Sequence, residues 1–308
     1  MTRVVVVGTD GSAASLAAVE WAARTARAHE LPLRVAHVAP RPTAERSSGD
    51  REDPLSGHAA RERMLRAVCV RLSAEHPELP LSWDIMTGDD VAGCLAWSTA
   101  GSELLVLGAR GEGGFDGLLL GSTAICVLRE ASCPVALVRS ATAGEPSAGR
   151  RTRPAEVVLA LDAREPDHEA TAYAFGEAAL RAVQLRAVHA WDLAPHHDPW
   201  QPYGPAEADR SRWETEEVVA LSAALRPWGA KYPDVRLIPD VRRLSPAAAL
   251  VRASAGAELL VAGIGPGPHG PVTDALAHHA RCTVVFVPSA RRHVNGAAPS
   301  GPSRRVRQ

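Results

Sequence analysis

The chain has 308 residues, 46% of them hydrophobic, and a formal net charge of -1. That length accommodates two ordinary domains, each with its own core, and near-neutrality gives neither a nucleic-acid backbone nor an anionic membrane a claim as main partner. No apolar run reaches membrane-spanning length and the opening MTRVVVVGTDG lacks a signal-peptide layout, so the chain reads as a cytoplasmic soluble protein.

In chain order, VVVVG (residues 4–8) is a short apolar strand, followed by ASLAAVEWAARTARAH (14–29) with apolar residues at helical spacing. LRVAHV (33–38) is the second strand. A polar stretch (40–57) leads into the helix HAARERMLRAVCVRLSAEH (58–76). LSWDIMT (81–87) reads as a strand, DDVAGCLAWSTAG (89–101) as a helix and ELLVLG (103–108) as a fully buried strand. After a glycine-rich segment come a helix over 122–131 and the strand PVALVR (134–139).

The same words then return. WSTAGSELLVLG (97–108) recurs as RASAGAELLVAG (252–263), RVVVVGTDGS (3–12) as EVVLALDARE (156–165), and RVAHVAP (34–40) as RAVHAWD (186–192). LREASCPVALVR (128–139) and AHHARCTVVFVP (277–288) align on Cys133 and Cys282. Matching words in the same order at nearly one offset mean two homologous domains, placed at 1–140 and 155–289. The polar segment 141–154 is the linker, and 290–308, without an apolar period, is expected to be a disordered tail. Buried strands alternating with helices imply the α/β class: two tandem five-stranded parallel-sheet sandwiches. The apolar last strands could pair at their edges as an intramolecular pseudo-dimer, with a homodimer as a further option.

Residues 108–123, GARGEGGFDGLLLGST, lie between a buried strand and a helix, where open α/β sheets bind ligands. Glycines let backbone N–H groups approach a ligand, Ser122 is a suitable N-cap, and the helix start adds donors and a positive dipole end. Together these suit a phosphate. A flexible solvent loop before a capped helix is the alternative. No Walker GK[ST] is present, and GTDGS after the first strand is no dinucleotide fingerprint, since Asp10 would repel an anion. Asp10 suits the ribose hydroxyls or adenine amine at the neutral end of a nucleotide.

The pattern G108-x2-G111-x9-G121-Ser122, with VVGTDGS near the start, resembles the ATP-binding subgroup of the universal stress protein family, over both copies. The resemblance implies ATP bound in a bent conformation, possible dimerisation, a link to stress survival and dormancy, and an unidentified protein partner. It places Gly8 and Asp10 against the adenosine, and Val38 on the base. Gly108, Gly111 and Gly121 would admit the phosphates, Ser122 and Thr123 would donate to them, and Arg110 could neutralise their charge. Glu112 and Asp116 could hold Mg²⁺ through water, or simply be solvated.

The second copy departs from this pattern. Six residues are missing between Gly263 and Gly270, Pro271 replaces Ser122, and Pro266 stands where Gly111 would be. Proline offers no N–H at the helix start. Ala160 and Ala163 replace Gly8 and Gly11, although Asp162 remains. The second copy is therefore expected to have lost the triphosphate site.

The remaining candidates take plainer readings. The five cysteines (69, 94, 126, 133 and 282) form no CxxC pair and read as small buried hydrophobes in a reducing compartment, with a redox sensor as the alternative. His196, His197 and Asp198 read as solvated loop rather than metal ligands, and His278 and His279 as solvent-facing. His37 and His189 fit a repeated packing role, while Trp191, Trp200, Trp213 and Trp228 fit core packing. With one arginine and no evident general base, efficient phosphoryl transfer is not expected, though slow ATP hydrolysis is compatible. The expected function is an ATP-binding regulator; an adenine-nucleotide α-hydrolase-type enzyme and a nucleotide-free interaction module are the alternatives.

Overall fold

A computed structural model describes residues 3–41, 54–109, 121–139, 155–192, 207–265, 269–289 and 304–307. The chain forms two compact units, Met1–Glu145 with Arg291–Gln308, and Pro146–Ala290.

The first unit runs β1 (Val5–Gly8), α1 (Ala13–Ala28), β2 (Leu33–Ala39), α2 (Pro54–Glu75), β3 (Leu81–Thr87), α3 (Val91–Ser98), β4 (Leu104–Gly108), α4 (Ser122–Glu130) and β5 (Val135–Val138). Its strand order is β3-β2-β1-β4-β5, every pairing parallel, which puts all five carboxyl ends at one end of the sheet. β1 and β5 are buried at all four positions, as strands covered on both faces must be. Helix α1 turns Ala18, Val19, Ala22, Ala23 and Ala26 inward, all 0% exposed. Their small side chains let the helix lie close on the sheet. Leu33, Leu65, Leu104 and Leu105 fill the larger spaces, each burial contributing about 1.5–3 kcal/mol.

The second unit repeats the plan with β6 (Glu156–Ala160), α5 (His168–Leu180), β7 (Gln184–Trp191), α6 (Glu207–Lys231), β8 (Leu237–Arg243), α7 (Pro246–Ser254), β9 (Leu259–Ile264), α8 (Pro271–His279) and β10 (Thr283–Pro288). Its order is β10-β9-β6-β7-β8, again parallel throughout. Phe175, Trp228 and Tyr232 stack between α5 and the end of α6, with Lys231 Nζ 5.3 Å from the Trp228 ring centre, so Trp228 is a packing residue. The α/β class and the tandem five-stranded arrangement thus stand as the repeats imply.

Within the segment expected to be a disordered tail, four residues are described. Residues 304–307 form β11, antiparallel to β3 with Arg304 opposite Met86 and Arg307 opposite Trp83. Without it β3 would be a bare edge, and the added strand gives its outward amides and carbonyls partners. All five cysteines are free thiols: Cys94, Cys133 and Cys282 are buried as expected, whereas Cys69 is half-buried and Cys126 exposed, and burial pushes the Cys133 thiol up to about 11. His279 is exposed as expected, whereas His278 is half-buried.

Candidate functional site

Parallel pairing brings Gly8, Asp10, Val38 and Gly108 to the carboxyl end of the first sheet. The chain leaving β1 is tightly knotted. Gly11 N–H donates to Thr9 Oγ1 (3.2 Å), the Thr9 and Ser15 hydroxyls are 3.0 Å apart, and Ser12 caps α1 by accepting from Ser15 N–H (3.2 Å). Asp10 is exposed, and its Oδ1 accepts from Ser12 N–H at 3.0 Å. The turn needs φ +87° at Gly11, a left-handed conformation that favours glycine. His37 Nδ1 lies 2.8 Å from the Thr9 carbonyl; that oxygen can only accept, so Nδ1 carries the proton. The repeated histidine is therefore a brace for the turn rather than simple packing. Val38, next along β2, is half-buried opposite Met86.

Packing explains two of the glycines. A Cβ at Gly8 would come within 2.8 Å of Leu107 Cδ2; one at Gly108 would come within 2.8 Å of the Ala14 carbonyl oxygen. At the start of α4, Gly121 rather than Ser122 is the N-cap, with no side-chain cap bond. The expected Ser122 cap is displaced by one residue because Gly121 N–H is tied to the Ala109 carbonyl (3.0 Å), which fixes the turn there. Ser122 and Thr123 open the helix, exposed and half-buried. Among the described residues their N–H groups have no recorded acceptor, and the first turn carries no acidic residue. Arg110, Gly111, Glu112 and Asp116 lie outside the described residues, as do His196, His197, Asp198, Trp200 and Pro266.

The second unit keeps the turn and changes its surroundings. Asp162 Oδ1 accepts from Arg164 N–H at 2.9 Å, matching Asp10 and Ser12. Ala163 holds the place of Gly11 without a positive φ; among the described residues only Glu30 and Ala182 are non-glycines with one. Arg164 Nη2 reaches Glu217 Oε1 on α6 (2.5 Å), and His189 Nε2–H donates to Glu217 Oε2 (3.0 Å). Helix α8 opens with Pro271 after Gly270 and has Asp274 in its first turn, both unfavourable to an anion. The carboxylate–arginine–histidine tie was hidden from the sequence because Glu217 lies in a helix without a matching motif.

That tie has a pH signature. Hydrogen bonding to Arg164, then to His189, holds the Glu217 carboxyl below its ordinary value. A depressed carboxyl adds stability above its unfolded value near about 4.3, and the contribution drains away as pH falls through the lower folded value. Glu217→Gln should therefore destabilise the protein by about 1–3 kcal/mol at neutral pH, the difference shrinking as pH falls below the unfolded carboxyl value and through the lower folded one. Thermal melts across that range check it; a constant difference between the two proteins would contradict the tie.

A sequence model described as "Universal stress protein family" matches residues 1–139 and 155–288. A universal stress protein of Mycolicibacterium smegmatis is 32% identical over 303 residues, covering 92% of this chain and 96% of the relative. Universal stress protein Rv2005c of Mycobacterium tuberculosis is 33% identical over 300 residues, covering 91% and 95%. Among solved structures, a universal stress protein from Archaeoglobus fulgidus superposes with a TM-score of 0.62 at 16% identity, covering 92% of this chain and 98% of that one. Among the described residues, no helix is long and apolar enough to cross a membrane.

Proposed function

The chain belongs to the universal stress protein family, and from that premise we propose that its first unit binds ATP and serves as a regulatory nucleotide sensor in stress response or dormancy. One nucleotide binds per chain. Asp10 and Gly8 face the adenosine and Val38 the base; Gly108, Gly111 and Gly121 admit the phosphates, which Ser122, Thr123 and Arg110 hold, with Mg²⁺ as an optional companion.

The observation that carries this reading is the contrast between two equivalent helix starts. Among the described residues, α4 begins Gly-Ser-Thr with no recorded acceptor for the Ser122 and Thr123 N–H groups and no acid in its first turn, while α8 begins Gly-Pro and carries Asp274. A triphosphate needs donors and positive potential; Pro271 removes one donor and Asp274 opposes an anion at α8, whereas α4 has neither change. A nucleotide-free interaction module accounts equally well for Gly8, Gly108 and Asp10, as packing and turn residues. It gives no reason for the bare start of α4.

Mass spectrometry of nucleotide co-purifying with the untagged protein, followed by calorimetry with ATP and AMP, tests the reading. ATP is expected to bind at one site per chain, and AMP more weakly because it reaches fewer α4 donors. Gly121 has ordinary extended backbone (φ -76°, ψ 144°) that alanine also adopts, so loss of ATP in a Gly121→Ala protein that melts with the wild type would report ligand approach. No heat and no thermal shift with ATP would leave the interaction module standing.

A further inference from the structure

The two units treat one internal location in opposite ways. In each, an arginine on the second strand reaches a carbonyl at the end of the third helix: Arg34 Nη2 donates to the Ser98 carbonyl (2.5 Å), and Arg186 Nη2 to that of Ala253 (3.4 Å). In each, an aspartate on the third strand stands in the same register, Asp84 opposite Ala36 and Asp240 opposite Val188. In the first unit the location is closed. Asp84 and Met86 are 0% exposed, and Trp97 lies half-buried on α3.

In the second unit the positions of Met86 and Trp97 are taken by Arg242, opposite Ala190 as Met86 is opposite Val38, and by Arg252, in the repeated word. Two apolar side chains have become two guanidinium groups. The location is now a cavity of about 500 Å³ between β7, β8 and α7, lined by Arg186, Arg242, Arg252, Asp240, Val188 and Ala249. That volume lies within the range of small-molecule sites. None of its lining residues belongs to the strand ends and helix starts compared above.

Its charges are only partly spent. Asp240 receives Arg242 in a two-point grip (2.6 and 2.9 Å), and Glu156 receives Arg186 Nη2 at 2.6 Å. Arg186 Nη1 stops 3.7 Å from Asp240, beyond a hydrogen bond, and its buried Nε has no acceptor among the described residues. Arg252 is exposed, with no ion pair recorded among the described residues. Three guanidinium groups thus face two carboxylates, leaving one positive charge and spare N–H donors.

We propose that this cavity binds a small organic phosphate. The donors come from two strands and a helix, three directions that a tetrahedral phosphomonoester dianion can meet at once and a flat carboxylate cannot. Val188 and Ala249 supply an apolar wall for a short carbon skeleton. The site is independent of the ATP site proposed in the first unit.

Calorimetry of the full-length protein with ribose 5-phosphate, and with ribose as its neutral counterpart, tests this. Ribose 5-phosphate is expected to bind and to weaken as salt is raised; ribose is not. The double variant Arg242→Met with Arg252→Trp restores the first unit's residues, and it should weaken ribose 5-phosphate at least about tenfold. ATP binding in that variant should be unchanged, which separates this site from the other. Equal binding by ribose, undiminished binding by a folded double variant, or no binding of ribose 5-phosphate to the wild type would overturn the proposal.

Discussion

Asp10→Ala is expected to strip ATP from the protein, while Asp162→Ala leaves ATP binding as it was, although the two substitutions should cost the same stability. Each aspartate closes the turn after the first strand of its unit, accepting an N–H two residues on at 3.0 and 2.9 Å. Losing that bond removes about 1 kcal/mol in either unit. In the proposed site only Asp10 faces the nucleoside. A carboxylate hydrogen bond to a ribose hydroxyl or adenine amine contributes about 1.5–3 kcal/mol, so ATP affinity should fall roughly 10- to 100-fold. Asp10→Asn is the control for geometry: its amide oxygen can still close the turn, and the protein should melt with the wild type while binding ATP less well. Calorimetry with each of the three variants, beside their melting temperatures, reads both effects. Equal ATP losses from Asp10→Ala and Asp162→Ala would contradict a single site in the first unit.

How much of this could be read without coordinates depended on whether the deciding interaction was local. Runs such as VVVV and LLVL admit little but a buried strand, and the repeated words placed both sheets before any contact was known. The strand at 304–307 was not legible. RRVR has no apolar period, and its pairing is set by the open edge of β3, more than two hundred residues earlier in the chain. The cap at Gly121 rather than Ser122 has a similar origin, because a bond to Ala109, across the glycine-rich segment, decides it. The site glycines show the limit most clearly. Gly8 and Gly108 fit a ligand-approach pattern in the sequence, yet each meets a neighbour, Leu107 or the Ala14 backbone, that would exclude a Cβ with no ligand present. Pattern and packing ask for the same residue there, so the glycine alone cannot distinguish them. Arg242 and Arg252 were half visible: the exchange of Trp97 for Arg252 sits in an aligned word, but only the strand register shows that Arg242 joins it.

Gly108→Ala should be among the most damaging single substitutions in the first unit, and for a reason that has nothing to do with phosphate. The added Cβ would lie 2.8 Å from the Ala14 carbonyl oxygen, 2.9 Å from its carbon and 3.0 Å from Ser15 N. All three are backbone atoms in the first turn of α1, so no rotamer change relieves the contact; the helix must move off β4. Overpacking of this kind costs about 1–3 kcal/mol, worth about 2–12 °C in melting temperature for a unit of this size. The equivalent Gly263→Ala meets a softer obstacle, the Asp167 carboxylate at 2.6 Å. That side chain can swing aside and forfeit its cap on α5, where it accepts from Ala170 N–H at 3.0 Å, for about 1 kcal/mol. Denaturant unfolding of both variants should therefore rank Gly108→Ala as the more destabilised. A helix forced away from β4 also carries Ser12 and the Asp10 turn with it, so Gly108→Ala should lose ATP as well as stability, whereas Gly263→Ala should keep ATP. A Gly108→Ala protein as stable as the wild type would mean that α1 does not sit as close to β4 as its alanine face allows, and the geometry of the Asp10 turn would have to be redrawn with it.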